Sequence, residues 1–196
     1  MKLLYTKRSP YARKVRIMAL EKGLKLDLIE EDLTKKSNDL IQANPLGKIP
    51  TLILDNGEII VDSPVIAEYL DSLNDKPVLI PRSGADRFKI LHLSALVDGL
   101  MDVTIAVYME KIRHPKDFNE AFVKAQEETI ARSLKFFEGQ LGELNKLSLF
   151  SVAVASAIGY LNFRVPLLWT KDKLPKLAAW YEQFSNRPSM QATQPG

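Results

Sequence analysis

Strand-forming patterns end before residue 62 of this chain, and the regular patterns after residue 85 are helical. Lys2–Tyr5, Leu26–Glu31, Pro50–Leu54 and Glu58–Val61 are short, apolar and β-prone. Between the two regions lies Asn74–Gly84, which holds Pro77, Pro81, Asp75, Lys76, Ser83 and Gly84 and has the composition of a linker. Strands gathered at one end and helices at the other predict an α/β unit joined to an all-helical one. We expect an α/β domain over 1–75, a linker over 76–84 and a helical domain over 85–196. At 196 residues the chain is long enough for two small domains.

The first unit opens strand, helix, strand. A helical pattern over Pro10–Lys22 places Tyr11, Val15, Met18 and Ala19 on one side, and Gly23 suits its C-terminal cap. Leu26 and Leu28 alternate with polar neighbours, so the short spacing predicts a parallel strand pair with a right-handed crossover. Thr34–Ala43 reads as a short helix of poor periodicity, and Asn44–Lys48 as a loop. Asp55-Asn56-Gly57 marks a tight hairpin. Ser63 is expected to cap the next helix, with Pro64 at its first position and an apolar stripe of Val65, Ile66, Tyr69, Leu70 and Leu73.

In the second unit, Asp86–Arg113 is expected to be one long helix, ended by His114-Pro115. Phe118–Leu144 shows helical spacing, and Leu149–Phe163 is apolar nearly all round, as for a helix at the centre of a domain. Leu177, Trp180, Tyr181 and Phe184 mark a last helix, Trp169 and Trp180 are expected in the core, and the tail from Arg187 looks irregular.

Composition narrows the function. The chain has no cysteine, which excludes disulfides, thiolate metal sites and a cysteine nucleophile, and it fits a reducing, cytoplasmic setting. His92 and His114 are isolated, so no metal site is expected. No secretory leader or membrane-spanning run is evident, Leu147–Leu161 being the nearest to one. A net charge of +3 is too small to argue for nucleic acid. The basic residues are uneven, however: Lys2–Lys25 holds eight of them against Glu21 alone. Within that stretch Ser9-Pro10 stands where a strand hands over to a helix. Serine is a favoured N-cap, proline a favoured first residue, and the helix start attracts anions. The plainest reading of Ser9–Arg16 is a helix cap with a solvated basic face; a small anionic ligand is the other.

Three stretches together carry more than any one of them. Ser9-Pro10-x-x-Arg13-x-Val15-Arg16, Asn44-Pro45-Leu46-Gly47-Lys48-Ile49-Pro50-Thr51-Leu52 and Asp62-Ser63-Pro64-x-Ile66-x-Glu68-Tyr69-Leu70, ahead of a helical half, resemble the glutathione S-transferase family. The resemblance covers the whole chain and is nearest to small bacterial members of the serine type. It implies a thioredoxin-like N-terminal domain, an all-α C-terminal domain and a homodimer. It also implies a cytoplasmic detoxification enzyme with glutathione as co-substrate. By resemblance Ser9 bonds the glutathione sulfur, the Ile49 main chain pairs with the cysteinyl part, and Pro50 is a cis-proline. Asp62 and Ser63 hold the γ-glutamyl end, Asp62 standing where many relatives carry glutamate. Lys48, ahead of Lys36, meets the glycine carboxylate. A second, hydrophobic substrate would lie between the domains against Tyr11, Leu100, Met101, Thr104 and Tyr108. One departure falls at Ser148-Leu149-Phe150-Ser151, where the family's central helix commonly starts with aspartate in the fourth place.

Two functions from different classes follow. One is a transferase that activates the thiolate for attack on a hydrophobic electrophile, with Tyr5, Thr6 and Tyr11 as alternative hydroxyl donors to Ser9. The other is a non-catalytic binding or regulatory protein on the same fold. A thiol–disulfide oxidoreductase of this fold is disfavoured because its cysteine is missing.

Overall fold

The computed structural model describes residues 1–169 and 171–196. Its first part runs β1 (Lys2–Tyr5), α1 (Pro10–Glu21), β2 (Asp27–Glu30), α2 (Asn38–Ala43), β3 (Thr51–Ile53), β4 (Ile59–Ile60) and α3 (Ser63–Ser72). The sheet order is β2-β1-β3-β4, with β1 parallel to β2 and both other pairings antiparallel. Leu3 sits opposite Leu28 on one side and Leu52 on the other. Leu3 and Leu52 pack with Ala12 and Val15 of α1 and Ile66 and Leu70 of α3, so both helices close one face of the sheet.

Local chemistry sets the helix ends. Gly23 takes φ +66, which frees Leu24 N–H to reach Ala19 O at 2.8 Å and Gly23 N–H to reach Leu20 O at 3.0 Å. That pair of bonds satisfies the last carbonyls of α1. α2 starts later than its sequence pattern implies, because Asp32 holds Thr34 in a turn and Ser37 is the residue that caps Leu40 N–H. At α3 the cap is Asp62, not Ser63, which is the first helical residue.

The second part contains α4 (Gly84–Arg113), α5 (Glu120–Glu138), α6 (Leu141–Leu144), α7 (Leu149–Arg164), α8 (Pro175–Ser185) and α9 (Pro188–Gln191). α7 is buried from Leu149 to Leu161, with α1, α4, α6 and α8 packed around it. Its start is capped reciprocally: Ser148 N–H donates to Ser151 Oγ at 2.9 Å, and Ser151 N–H donates to Ser148 Oγ at 3.3 Å. Serine thus replaces the expected carboxylate without leaving the buried helix start unpaired. Among the described residues α4, not the shorter α7, is the helix both long and apolar enough to cross a membrane; it packs against α5 and α7.

Three further sequence expectations need correction. The Phe118–Leu144 pattern is two helices, because the chain turns at Gly139, where the amides of Gly139 and Gln140 close the end of α5. The tail is not irregular: Arg187 reaches both carboxylate oxygens of Glu21 at 2.8 Å and carries α9 onto α1. That docking covers part of what looked like a solvated basic face, and α4 covers Lys14 through Asp98. Arg13, Lys14 and Arg16 are all enclosed, with Arg13 Nη2 donating to Met190 O and Arg16 Nη2 to Ala192 O.

The segment between the two parts is docked along its length. Lys22 Nζ reaches Asp71 Oδ1 and the carbonyls of Asp71, Asn74 and Pro77 at 2.8–3.0 Å. The Asp71 carboxylate in turn accepts the N–H groups of Leu79 and Ile80. Both of those side chains are buried, and Leu149 N–H donates to Leu79 O, joining the segment to the start of α7.

Candidate active site

A cleft of about 430 Å³ lies between the start of α1, the loop before β3, the start of α3 and one face of α4. That is an ordinary size for a small-molecule site.

The loop is shaped by Asn44. Its Nδ2 donates to Lys48 O and Thr51 Oγ1, and its Oδ1 accepts Leu46 N–H. Gly47 takes φ +54, a left-handed conformation that favours glycine, with the Ile41 side chain and the Lys36 ammonium packed close by. The loop delivers Lys48, Ile49 and Pro50 to the cleft wall, and the Ile49–Pro50 peptide is cis. Among the described residues, the N–H and C=O of Ile49 have no hydrogen-bond partner.

Asp62 and Ser63 line the same cleft at the start of α3. Asp62 is in the N-cap position, yet its carboxylate makes no capping bond. An N-cap carboxylate ordinarily turns back onto the helix; this one is left available to the cleft. Ser63 is buried and sits among the open N–H groups of the helix start.

Ser9 caps α1, its Oγ accepting Ala12 N–H at 3.2 Å. Its own hydrogen has no acceptor among the described residues. Ser9 does not itself line the cleft; Tyr11, two residues on in the first turn of α1, does. The Tyr11 hydroxyl donates to Asp102, and burial together with that bond pushes its pKa far up. Tyr5 and Thr6 are buried, Tyr5 under the Arg16 guanidinium.

From α4 the cleft receives Asp98, Asp102 and Ile105. Lys14 is fully enclosed and holds Asp98 at 2.6 Å. Burial pushes the Asp98 carboxyl upward, and the carboxylates of Asp62 and Asp102 add to that push against the pull of Lys14. The cleft is therefore acidic on the α3 and α4 side and basic at Lys48.

Of the five residues expected around a second substrate, only Tyr11 stands in the cleft. Leu100, Met101 and Thr104 are at most 2 % exposed and belong to the helical core. They lie roughly a third of a turn away from Asp98, Asp102 and Ile105. Tyr108 is drawn elsewhere, stacked under Arg164, whose Nη1 donates to its hydroxyl at 2.8 Å. The apolar stripe of α4 marks its core face, and its polar stripe marks the site.

The sequence profile of the glutathione S-transferase N-terminal domain matches residues 8–73, and that of the C-terminal domain matches 96–188. The chain belongs to the glutathione S-transferase family. An uncharacterized GST-like protein of Escherichia coli K12, YibF, is 38% identical over 200 residues, covering 100% of this chain and 98% of its own. A glutathione transferase family member from Pseudomonas fluorescens Pf-5, solved with bound glutathione, is 40% identical with a TM-score of 0.91, covering 100% of this chain and 98% of the other. That protein has also been solved with bound S-(propanoic acid)-glutathione. A glutathione S-transferase from Methylobacillus flagellatus, also with glutathione bound, is 36% identical with a TM-score of 0.93, covering 100% of this chain and 99% of the other. The thioredoxin-like and all-helical halves expected from the motifs are those of this family's fold.

Proposed function

We propose that the protein is a glutathione transferase that binds glutathione in this cleft and activates its thiol for attack on a hydrophobic electrophile. The observation that carries the reading is the set of unused groups around one cavity: the bare Ile49 main chain, the uncapped Asp62 carboxylate and the open helix start at Ser63. Each has its counterpart in glutathione. Asp62 offers charge for the γ-glutamyl ammonium, and Ser63 with the helix-start N–H groups offers donors for its carboxylate. Ile49 offers a strand-like donor and acceptor for the cysteinyl peptide. Lys48 offers a cation for the glycine carboxylate.

In this reading the Ser9 hydroxyl donates to the sulfur. What supports Ser9 over the other hydroxyls is that Tyr11 donates to Asp102 and that Tyr5 and Thr6 are buried. A free thiol has a pKa of about 8.5. One hydrogen bond to the thiolate, worth about 1.5–3 kcal/mol, lowers that by about one to two pKa units. The α1 dipole acts in the same sense. The thiol proton leaves to solvent, and the sulfur lone pair forms the new S–C bond. The leaving group departs with its bonding electrons, or an added alkene takes a proton from water. The electrophile would rest against Tyr11 and Ile105.

A second reading, a glutathione-binding protein without catalysis, is favoured by one fact: Ser9 is not among the residues that line the cleft. Titrating thiolate absorbance in the glutathione complex separates the two. The transferase reading expects ionisation below the free thiol's pKa, largely reversed in Ser9→Ala, with conjugation slowed and glutathione affinity changed little. If the wild-type complex titrates like free glutathione, the binding-protein reading stands.

A further inference from the structure

The cleft wall carries four charged side chains, Lys48, Asp62, Asp98 and Asp102. In the glutathione reading, on which this inference rests, three of them have partners. Lys48 meets the glycine carboxylate and Asp62 the γ-glutamyl ammonium, while Asp98 is already held by the buried Lys14 at 2.6 Å. Asp102 is left over. It is exposed to the cleft and makes no ion pair among the described residues. Its neighbours one turn away on α4 are Asp98, Gly99, Ile105 and Ala106, so its own helix brings it no cation. An acid on a helix surface is ordinarily solvated and free to turn. Asp102 differs because Tyr11, itself in the cleft lining, donates its hydroxyl to Oδ1 and ties the carboxylate to the wall. Oδ2 has no partner among the described residues. The place left for a second substrate, against Tyr11 and Ile105, therefore adjoins a carboxylate that nothing else in the cleft neutralises.

We propose that Asp102 sets the class of the second substrate: an electrophile with an apolar body and a protonated amine, the body against Tyr11 and Ile105 and the amine on the open oxygen of Asp102. The two kinds of group lie side by side in the lining, so one molecule can use both. An ammonium on a carboxylate makes a charge-assisted hydrogen bond. A cleft whose walls exclude part of the solvent strengthens that attraction, and it strengthens the repulsion of a carboxylate-bearing electrophile by the same means. Discrimination thus comes from the rejected class as much as from the accepted one.

The test uses glutathione conjugates of nearly equal size on the whole protein: S-(3-aminopropyl)glutathione, S-propylglutathione and S-(propanoic acid)-glutathione, the last being the ligand of one solved relative. Free glutathione is the reference, and binding is measured by calorimetry. The amine conjugate is expected to bind tightest and the carboxylate conjugate weakest, about tenfold apart, since one charge acts on them with opposite sign. Raising the salt concentration should narrow that ratio. Asp102→Asn keeps an acceptor for Tyr11 and removes the charge, so the ratio should fall to about twofold. Asp102→Glu should preserve the order. The proposal is overturned if the carboxylate conjugate binds as tightly as the amine conjugate, or if Asp102→Asn leaves the ratio as in the wild type. If glutathione binds but its thiol titrates as in solution, only the catalytic part of the earlier reading fails, and the order of the conjugates still decides. If neither glutathione nor any conjugate binds, the cleft reading fails and this proposal with it.

Discussion

At the scale of single residues, the clearest signal is a side chain that declines its ordinary partner. Asp62 occupies an N-cap and does not cap, so removing its carboxylate takes little from the fold. Asp62→Ala is expected to weaken glutathione binding by about 10- to 100-fold, the worth of a charged hydrogen bond of roughly 1.5–3 kcal/mol. Folding stability should change by less than about 0.5 kcal/mol. Calorimetry and urea denaturation check the two halves; unchanged affinity would refute the role. Helix-start residues such as Ser9, Asp62 and Ser63 were legible in the sequence because N-cap chemistry is local. The α4 wall was not: an apolar heptad-like stripe points to whatever lies beside the helix, and here that is the core. Asn44 was equally hidden, since an asparagine in a loop becomes an organiser only through partners that the folded loop brings to it.

At the scale of elements, the tail and α1 hold each other. Glu21 is 11 % exposed in its side chain and accepts from Arg187 and Ser189. The bond from Arg187 is the main cause holding the Glu21 carboxyl below its usual pKa, against the opposing effect of burial. A carboxylate whose folded pKa is depressed stabilises the fold above its unfolded pKa, about 4.3, and loses that contribution as pH falls through the folded value. Glu21→Gln should therefore cost about 1.5–3 kcal/mol at pH 7 and progressively less below roughly pH 4.3. Urea midpoints of both proteins from pH 7 to 3 check this; a gap that stays constant with pH would contradict it. Periodicity placed most helices well, because 3.6-residue stripes survive in any context. It missed α9, which is too short to show a stripe and exists by virtue of contacts made with a helix almost the whole chain away.

For the whole molecule, the two-part architecture was legible because strand and helix periods segregate along the chain. What the chain does with its outer surface was not. Val65 of α3 and Phe88 and Leu96 of α4 are large apolar residues at 51, 71 and 41 % exposure. Exposed apolar groups grouped on neighbouring helices support association, and we propose a homodimer through this side. Sedimentation at micromolar concentration is expected to give about 44 kDa, twice the 22.1 kDa of one chain. A 22 kDa species, or an unaltered dimer in Phe88→Glu, would count against this face.

The stretch from Asn74 to Gly84 has the sequence of a flexible tether and the structure of a clasp. Lys22 grips it from α1, Asp71 from α3, and Leu149 from α7, so three helices share a strip of chain that looks expendable. A hinge needs slack, and here there is none. Any opening between the halves would have to break the bonds of Lys22, Asp71 and Leu149 to this strip. The same clasp bears on how such a chain can be divided. A cut after Arg82 would leave the clasp whole on the first fragment, with the second still bonded to it through Leu149. The seam that looks most natural for splitting the protein is thus one that the fold holds from both sides.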